Sequence, residues 1–456
     1  MATTLSPLPI TQNRPVFEDL VTRALAQATE LGATDAAAEV SEAQGLAVSV
    51  RRGKVETVEQ TRDRSMDITV FAGQRRGSAS TSDFSPAALR QTVEAAWHIA
   101  RYTAEDPAAG LPDAGALAIG DVRHDLSLHH PWDIGVQQAT EIAIETERAA
   151  LAVDRQITNT EGAMVDTHEG HFVLGNTRGF LDGYAYSRHS FSVAPIAGRG
   201  NKMQRDDWYS SDRDPARLSD PAEVGRYAAQ RALARLSARR IPTGHYPVLF
   251  EAPLALGLIG ALTQAASGGA LYRQASFLVD ALGRELFPSH IDIREDPHIP
   301  GAAGSSPFDE EGVRTRAREV IQGGVLQGYF LSTYTARKLG MVTTGNAGGS
   351  HNLVLTSSKT RSRDNLDAML RKMGTGLLVT ELIGRGVNYV TGDYSRGAFG
   401  YWVKGGKIQH AVEEITIAGN LQDMFRQIVA VGADVITRGS KTTGSILIEQ
   451  MSIAGT

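Results

Sequence analysis

Cysteine is absent from all 456 residues. Its absence removes disulfide frameworks, iron–sulfur clusters, thiolate zinc sites and cysteine nucleophiles. It leaves the compartment open, because a cysteine-free chain survives in either redox state. Long apolar runs are missing too. The most continuous, Leu254 to Leu262, is about half the ~20 residues needed to cross a bilayer. Met1 to Pro15 lacks the basic segment and apolar run of a secretory signal, so a cytoplasmic location is expected. Nor is there an excess of positive charge. A formal net charge of −5 gives no electrostatic reason to expect a nucleic-acid or anionic-membrane surface. What remains is 42% hydrophobic and 21% charged, an ordinary globular composition with length for two or three domains.

Periodicity divides the chain into three. In the first part, Leu20, Val21, Ala24, Ala28 and Leu31 recur at helical spacing and Gly32 terminates the pattern. Leu46, Val48 and Val50 then alternate, Arg52-Gly53 reads as a hairpin turn, and Met66, Ile68 and Val70 alternate again. Ser85-Pro86 opens a second helix with Leu89, Val93, Ala96, Trp97 and Ala100 on its inner face. This predicts an α+β domain over 16–102. Thr103 to Arg123, punctuated by Pro107, Gly110, Pro112 and Gly115, reads as a linker. A central helix-and-strand domain is expected over 124–238. It has helices at Val136 to Val153 and after Asp220-Pro221, and strands broken at Glu161-Gly162, Gly175-Asn176 and Asp182-Gly183. A strand-rich, glycine-rich domain is expected over 245–456. Its clearest helices are Ala252 to Ala266 and one from Asn420 bearing Leu421, Met424, Phe425, Ile428 and Val429. The fold class is α+β. Glu413 to Gly419 and Glu449 to Gly455 echo each other, as two similar strand ends would.

The chemistry-bearing motifs are few. There is no P-loop, no dinucleotide fingerprint and no Gly-x-Ser-x-Gly elbow. His168-Glu169 is followed by His171, but zinc-helix spacing needs a histidine where Phe172 or Val173 stands. The pattern around it reads as a glycine-turned surface hairpin. His290 to Glu311 concentrates Asp292, Glu295, Asp296, His298, Asp309, Glu310 and Glu311. It reads either as a solvated acidic loop or as a divalent-ion or acid–base site. The helix Ala252 to Ala266 holds Gly257 and Gly260 and no charged side chain. Each glycine costs about 1 kcal/mol against alanine, which predicts close packing against another backbone.

Several long motifs resemble the TldD/PmbA metalloprotease family, in order and over nearly the whole chain. They are Gly268 to Gly283, Phe308 to Arg314, Ala336 to Gly340, Thr391 to Gly397 and Glu414 to Asn420, with Gly77 to Thr81 and Ile157 to Gly162 nearer the N-terminus. The match is to the PmbA (TldE) kind of subunit. In that family the TldD kind carries a His-Glu-x-x-x-His zinc helix and a cysteine ligand, and the PmbA kind pairs with it. Lining the chain up through Tyr272-Arg273 places Gly260, Ala261 and Ala265 where the histidines and glutamate would stand. No histidine or glutamate lies between Ala252 and Arg273.

The resemblance implies no catalytic or metal-ligating residue and no cofactor on this chain, with zinc on a TldD-like partner. It implies a heterodimeric protease acting on unfolded or extended peptides, in peptide-precursor maturation or antitoxin degradation. Peptide would be held by strand addition, and this subunit would shape the cavity. Neither nucleic acid nor membrane is an expected partner, and a homodimer is the expectation when the partner is absent. The alternative is a peptide-binding or regulatory protein, a holdase or gyrase modulator, without a proteolytic role. Tyr272, Arg273, His298, Asp309, Asp393, Tyr394 and Arg396 are the candidate cavity or interface residues. Tyr272, Arg273, Asp393, Tyr394 and Arg396 read first as loop-fixing side chains and otherwise as cavity or interface residues, and His298 and Asp309 share the two readings of the His290 to Glu311 cluster.

Overall fold

In the computed structural model, residues 13–120 and 125–455 are described; the first twelve residues, including most of Met1 to Pro15, lie outside them, as do 121–123 of the expected linker. The chain forms two compact units, one built mainly from residues 1–197, 205–232 and 307–314, the other from the remainder.

In the first unit the elements are α1 (Arg14–Glu30), β1 (Asp35–Arg51), β2 (Lys54–Ala72), β3 (Arg75–Thr81), α2 (Pro86–Tyr102), α3 (Val136–Leu151), β4 (Ile157–Asn176), β5 (Leu181–Asp182), β6 (Ala185–Ala197), β7 (Gln204–Arg205), β8 (Trp208–Asp212) and α4 (Pro221–Ala234). The sheet runs β3-β2-β1-β4-β6-β7, with β5 on β4 and β8 on β6. β1 and β4 pair antiparallel from Ala37↔Asn176 to Val50↔Ala163, so the expected first and central segments share one sheet. Period-two alternation puts Ala36, Ala38, Val40, Met66, Ile68 and Val70 on one face, where α1 and α2 cover them. Ser85 caps α2, its Oγ accepting from the Ala88 N–H.

Two expectations change here. Glu161-Gly162 does not break a strand. It is a bulge within β4, between Thr160 and Ala163, with Gly162 at φ +118°, a value L-residues rarely adopt. Thr103 to Arg123 is not a free connector, since Leu111 and Leu117 are buried and Leu117 bridges Val313.

The second unit contains β9 (Gly244–Phe250), α5 (Ala252–Ala265), α6 (Gly268–Tyr272), β10 (Ile291–Asp296), β11 (Arg318–Gln322), β12 (Val325–Leu326), α7 (Thr333–Lys338), β13 (Asn352–Ser357), α8 (Leu366–Met373), β14 (Gly376–Ile383), β15 (Asp393–Lys404), β16 (Lys407–Asn420), α9 (Leu421–Arg426), β17 (Ile428–Val431), β18 (Ile436–Arg438), β19 (Lys441–Thr443) and β20 (Ile446–Ala454). One sheet runs β12-β11-β10-β13-β19-β18. The other runs β16-β15-β14-β9-β20-β17 and also joins β16 to β20, which closes β16, β15, β14, β9 and β20 into a ring of paired strands. The sequence echo sits at that closure, where Ile417 pairs with Ile453. The helix expected from Asn420 is shorter than its apolar pattern. α9 ends at Arg426, and Ile428 and Val429 belong to β17, where Ile428 pairs with Ile448 of β20 and Val429 sits in a bulge. Leu256, Leu258, Ile259 and Leu262 of α5 enter a core shared with Val248, Ile291, Ile293, Val320, Ile417 and Ile446.

The tightest turn of the first unit is tied down by a buried carboxylate. Arg52 and Gly53 both have positive φ, as a type I′ hairpin requires. Their N–H groups donate to Glu147 of α3 at 2.8 and 2.7 Å, and the Thr160 hydroxyl donates to the same side chain. Glu147 is 1% exposed. Glu147→Ala is expected to lower the unfolding free energy by about 2–4 kcal/mol through unpaired donors, measured by chemical denaturation, with Glu147→Gln losing less.

Candidate functional site

The helix that the resemblance lines up with the zinc-binding helix of the TldD kind of subunit is α5. Pro253 stands in its first turn, and Glu251 at the N-cap makes no side-chain capping bond. Beyond it the helix offers one hydroxyl, Thr263, which donates to its own helix at Ile259 O, 2.9 Å away. A Cβ on Gly257 would meet open space, and one on Gly260 would meet only the Lys441 side chain at 3.8 Å. The expected close backbone packing at these glycines is therefore absent.

Lys441 comes from the hairpin of β18 and β19, whose turn is set by Gly439 at φ +57° and whose strands are joined by a 2.9 Å contact between the Thr437 and Thr442 hydroxyls. β19 pairs parallel with β13 through Leu353↔Lys441, and β18 is the free edge of its sheet. Lys441 is half-buried, has no acidic partner among the described residues, and burial holds its pKa below the ordinary lysine range.

This corner does not fit zinc. Its donors would have to be imidazole, carboxylate or thiolate, α5 supplies none, and the side chain beside Gly260 is the Lys441 ammonium, which repels a dication. Among the described residues no group of three or more His, Asp or Glu side chains is arranged to hold a metal ion.

The other histidine and carboxylate clusters are individually committed. His168 and His171 lie within β4, not in a turn. Three residues apart on a strand, they point to opposite faces. His171 stacks on Phe17 at 5.5 Å, and burial, with help from Arg14 and His129, pushes its pKa down to about 4. His290 to Glu311 is not a solvated loop. Glu295 is 1% exposed, takes Arg318 Nε at 2.7 Å, and accepts from Asn346 Nδ2 and the His351 N–H, each at 2.8 Å. His290 contacts Ser357 Oγ at 2.8 Å.

The candidate residues fall in separate places. His298 belongs to the second unit and Asp309 to the first. His298 Nε2 lies 3.1 Å from Thr315 Oγ1. Asp309 accepts from the N–H groups of Glu311 and Val313, both at 2.9 Å, and so holds its own turn. Asp393 accepts from Thr391 Oγ1 at 2.6 Å and from Asn420 Nδ2 at 3.3 Å, which fixes the 391–393 loop. Tyr394 is buried. Burial raises its hydroxyl to about 12 against the opposing pull of Arg396, whose Nε is buried without a hydrogen-bond partner. Tyr272 meets Tyr334 edge-on at 5.9 Å. Arg273 lies over Tyr272 at 5.2 Å and Lys338 over Tyr334 at 5.3 Å, giving a cation–aromatic row across α6 and α7.

The first unit holds a site that periodicity does not reveal. A cavity of about 410 Å³ is lined by Leu126, Leu128, His129, Tyr184 and Phe308 among others. His129 Nε2 donates to Glu169 Oε2 at 3.0 Å, and Gln44 Nε2 donates to Glu169 Oε1 at 3.0 Å. The bond from His129 holds the Glu169 carboxyl below its usual range, against burial. On β1, burial raises Glu39 to about 7, with Asp67 and Glu310 adding repulsion. Only the His129-His130 pair before Pro131 marks this segment in the sequence.

With the geometry in place, family models described as PmbA/TldA metallopeptidase domain 1, central domain and C-terminal domain match residues 36–100, 129–236 and 243–455. The chain belongs to the PmbA/TldD metallopeptidase family. Within that family it falls with the PmbA subunits. It is 46% identical over 443 residues to Metalloprotease PmbA of Escherichia coli O157:H7, covering 97% of each chain. Among solved structures it is similar to a protein of Bacteroides thetaiotaomicron described as a modulator of DNA gyrase, with a TM-score of 0.90, 25% identity, and 96% and 99% of the two chains covered. TldE from Thermococcus kodakarensis shares the fold, with a TM-score of 0.83, 19% identity, and 96% and 100% coverage.

Two outcomes follow from these charges. A carboxyl raised in the fold binds its proton more tightly folded than unfolded, so stability falls as pH rises from about 4.5 toward the folded value of about 7. Glu39→Gln should therefore stabilise the protein at pH 8 by on the order of 2 kcal/mol and have little effect at pH 4, read from urea midpoints at the two values. An ammonium lowered in the fold has the opposite slope, its cost shrinking as pH rises through the folded value. Lys441→Met should stabilise at pH 7 by about 0.5–2 kcal/mol, with the difference narrowing toward pH 10.

Proposed function

We propose that this chain is the non-catalytic subunit of a cytoplasmic TldD/PmbA-type metallopeptidase, and that it shapes the cavity in which an extended or unfolded peptide is held. The observation that carries the reading is α5, which has no histidine, acid or free hydroxyl and faces an unpaired lysine. Zinc hydrolysis needs ligands and a general base near the metal, so both would come from a TldD-like partner. The free edge of β18 supports strand addition, in which main-chain groups supply affinity with little sequence preference. That mode suits peptide-precursor maturation or the removal of unfolded antitoxins, where substrates share extension and not sequence. No helix among the described residues is long and apolar enough to cross a membrane.

A second reading, a peptide holdase or gyrase modulator without proteolysis, draws on the printed description of the Bacteroides structure. Co-purification separates the two. Tagged at its native locus, the chain should bring down a TldD-like subunit, and the pair should contain zinc and cleave unstructured peptides. The chain alone should retain no stoichiometric zinc and cleave nothing. Peptide cleavage by the metal-analysed chain alone would sink the proposal, and capture of gyrase without any TldD-like subunit would favour the second reading.

A further inference from the structure

A strongly basic pocket lies in the second unit, separate from the α5 corner. Its volume is about 680 Å³, and its lining is Lys359, Arg361, Arg363, Arg371 and Lys372 with Asp364 and Ala368. Five cations converge here in a chain whose formal net charge is −5. The one lining carboxylate is already engaged. Asp364 takes Lys372 Nζ at 2.6 Å and the Arg361 N–H at 2.9 Å. Among the described residues Lys359, Arg363 and Arg371 form no ion pair, and all three are exposed.

The loop that presents them is built, not loose. The Lys359 N–H donates to Ser357 Oγ at 3.2 Å, Thr360 Oγ1 donates to Val431 O at 2.8 Å, and the Ala433 N–H donates to Asp364 O at 2.7 Å. Asn365 caps α8, its Oδ1 accepting from Ala368 N at 3.0 Å. Arg371 and Lys372 sit in the last turn of α8, where cations are favoured by the helix dipole. That preference explains two cations, not the three further ones facing them from the loop.

We infer that this pocket binds a chain of condensed phosphates through the converging side chains of Lys359, Arg361, Arg363 and Arg371. Arginine forks match phosphate oxygens two at a time. No aromatic residue lines the pocket and the only apolar one is Ala368, so a nucleobase finds nothing to stack on. The lining residues belong to a loop and a helix, so they offer a peptide main chain no strand edge. The ligand that fits is one with dense charge and neither a base nor a peptide backbone, such as inorganic tripolyphosphate.

The test is titration calorimetry on the full chain at low ionic strength with tripolyphosphate, ATP and hexaglutamate. Tripolyphosphate should bind with an affinity that falls as salt rises. The double variant Arg363→Gln/Arg371→Gln should weaken it about tenfold or more, while Arg90→Gln on α2 leaves it unchanged. Circular dichroism and the melting temperature check that the variants fold. ATP binding no tighter than tripolyphosphate supports recognition of phosphates alone, and ATP tighter by about tenfold would transfer the site to nucleotides and overturn the inference. Hexaglutamate binding as tightly as tripolyphosphate would overturn it too, in favour of an acidic peptide. So would no binding, or equal binding by wild type and double variant.

Discussion

Burial of α5 is the constraint on which the second unit rests. The helix packs against β14 of the closed ring of strands and against β18 and β19 of the other sheet. Its Leu256, Leu258, Ile259 and Leu262 are nearly inaccessible, and each such side chain stabilises by about 1.5–3 kcal/mol when fully buried. Propensity does not hold this helix together, because Gly257 and Gly260 each work against it by roughly 1 kcal/mol. Tertiary contact supplies what local sequence withholds. β20 completes the arrangement by pairing with β9, β16 and β17, so the strands under α5 cannot splay without breaking a ring.

That same burial decides what chemistry the helix can host. A carboxylate or imidazole on its inner face would lose its hydration, and without a partner it would shift its pKa or destabilise the fold. A bound metal ion would be one such partner. Here Gly257 is exposed, and the Lys441 side chain lies 3.8 Å from where a Cβ on Gly260 would stand. α5 offers a dication no imidazole or carboxylate, and Lys441 adds a like charge beside it. What α5 presents instead is Gly260 beside Lys441, a residue of the hairpin whose other strand, β18, ends the strand order of its sheet. Contact with an extended main chain through a strand edge depends on backbone geometry and not on side-chain identity.

Local features were legible in the sequence to the extent that they are local. The Ser85-Pro86 cap, the Arg52-Gly53 turn and the alternation of Met66, Ile68 and Val70 appear where expected, because each follows from a neighbour two to four residues away. The β1–β4 pairing joins residues more than 110 positions apart, and nothing in either strand names its partner. Glu161-Gly162 carries turn chemistry, yet flanking ladders turn it into a bulge. Ile428 and Val429 continue a helical stripe, yet β20 claims them for a strand. Glu295 reads as a surface acid until Arg318 and Asn346 close over it. His129 lies in a stretch without periodicity, and only the fold brings Glu169 and Gln44 to it. The family resemblance carried what periodicity could not, since motifs such as Thr391 to Gly397 name a family without stating a contact.

Net charge is the least local of these readings and the most misleading about surfaces. A balance of −5 argues against a polyanion only if charge is spread evenly, because screening confines its reach to about 8–10 Å at ordinary salt. Within such a radius a ligand responds to the side chains around it and not to the chain's total. Lys359, Arg361, Arg363, Arg371 and Lys372 span fourteen positions of sequence with acids between them, and the run looks mixed when read in line. Folding sorts it. Asp364 turns inward to hold Lys372, Asp367 stays outside the pocket lining, and the remaining cations share one concavity. The sign of a surface is therefore a property of how a segment folds back on itself, and only pinned hydrogen bonds such as Thr360 to Val431 make that sign permanent.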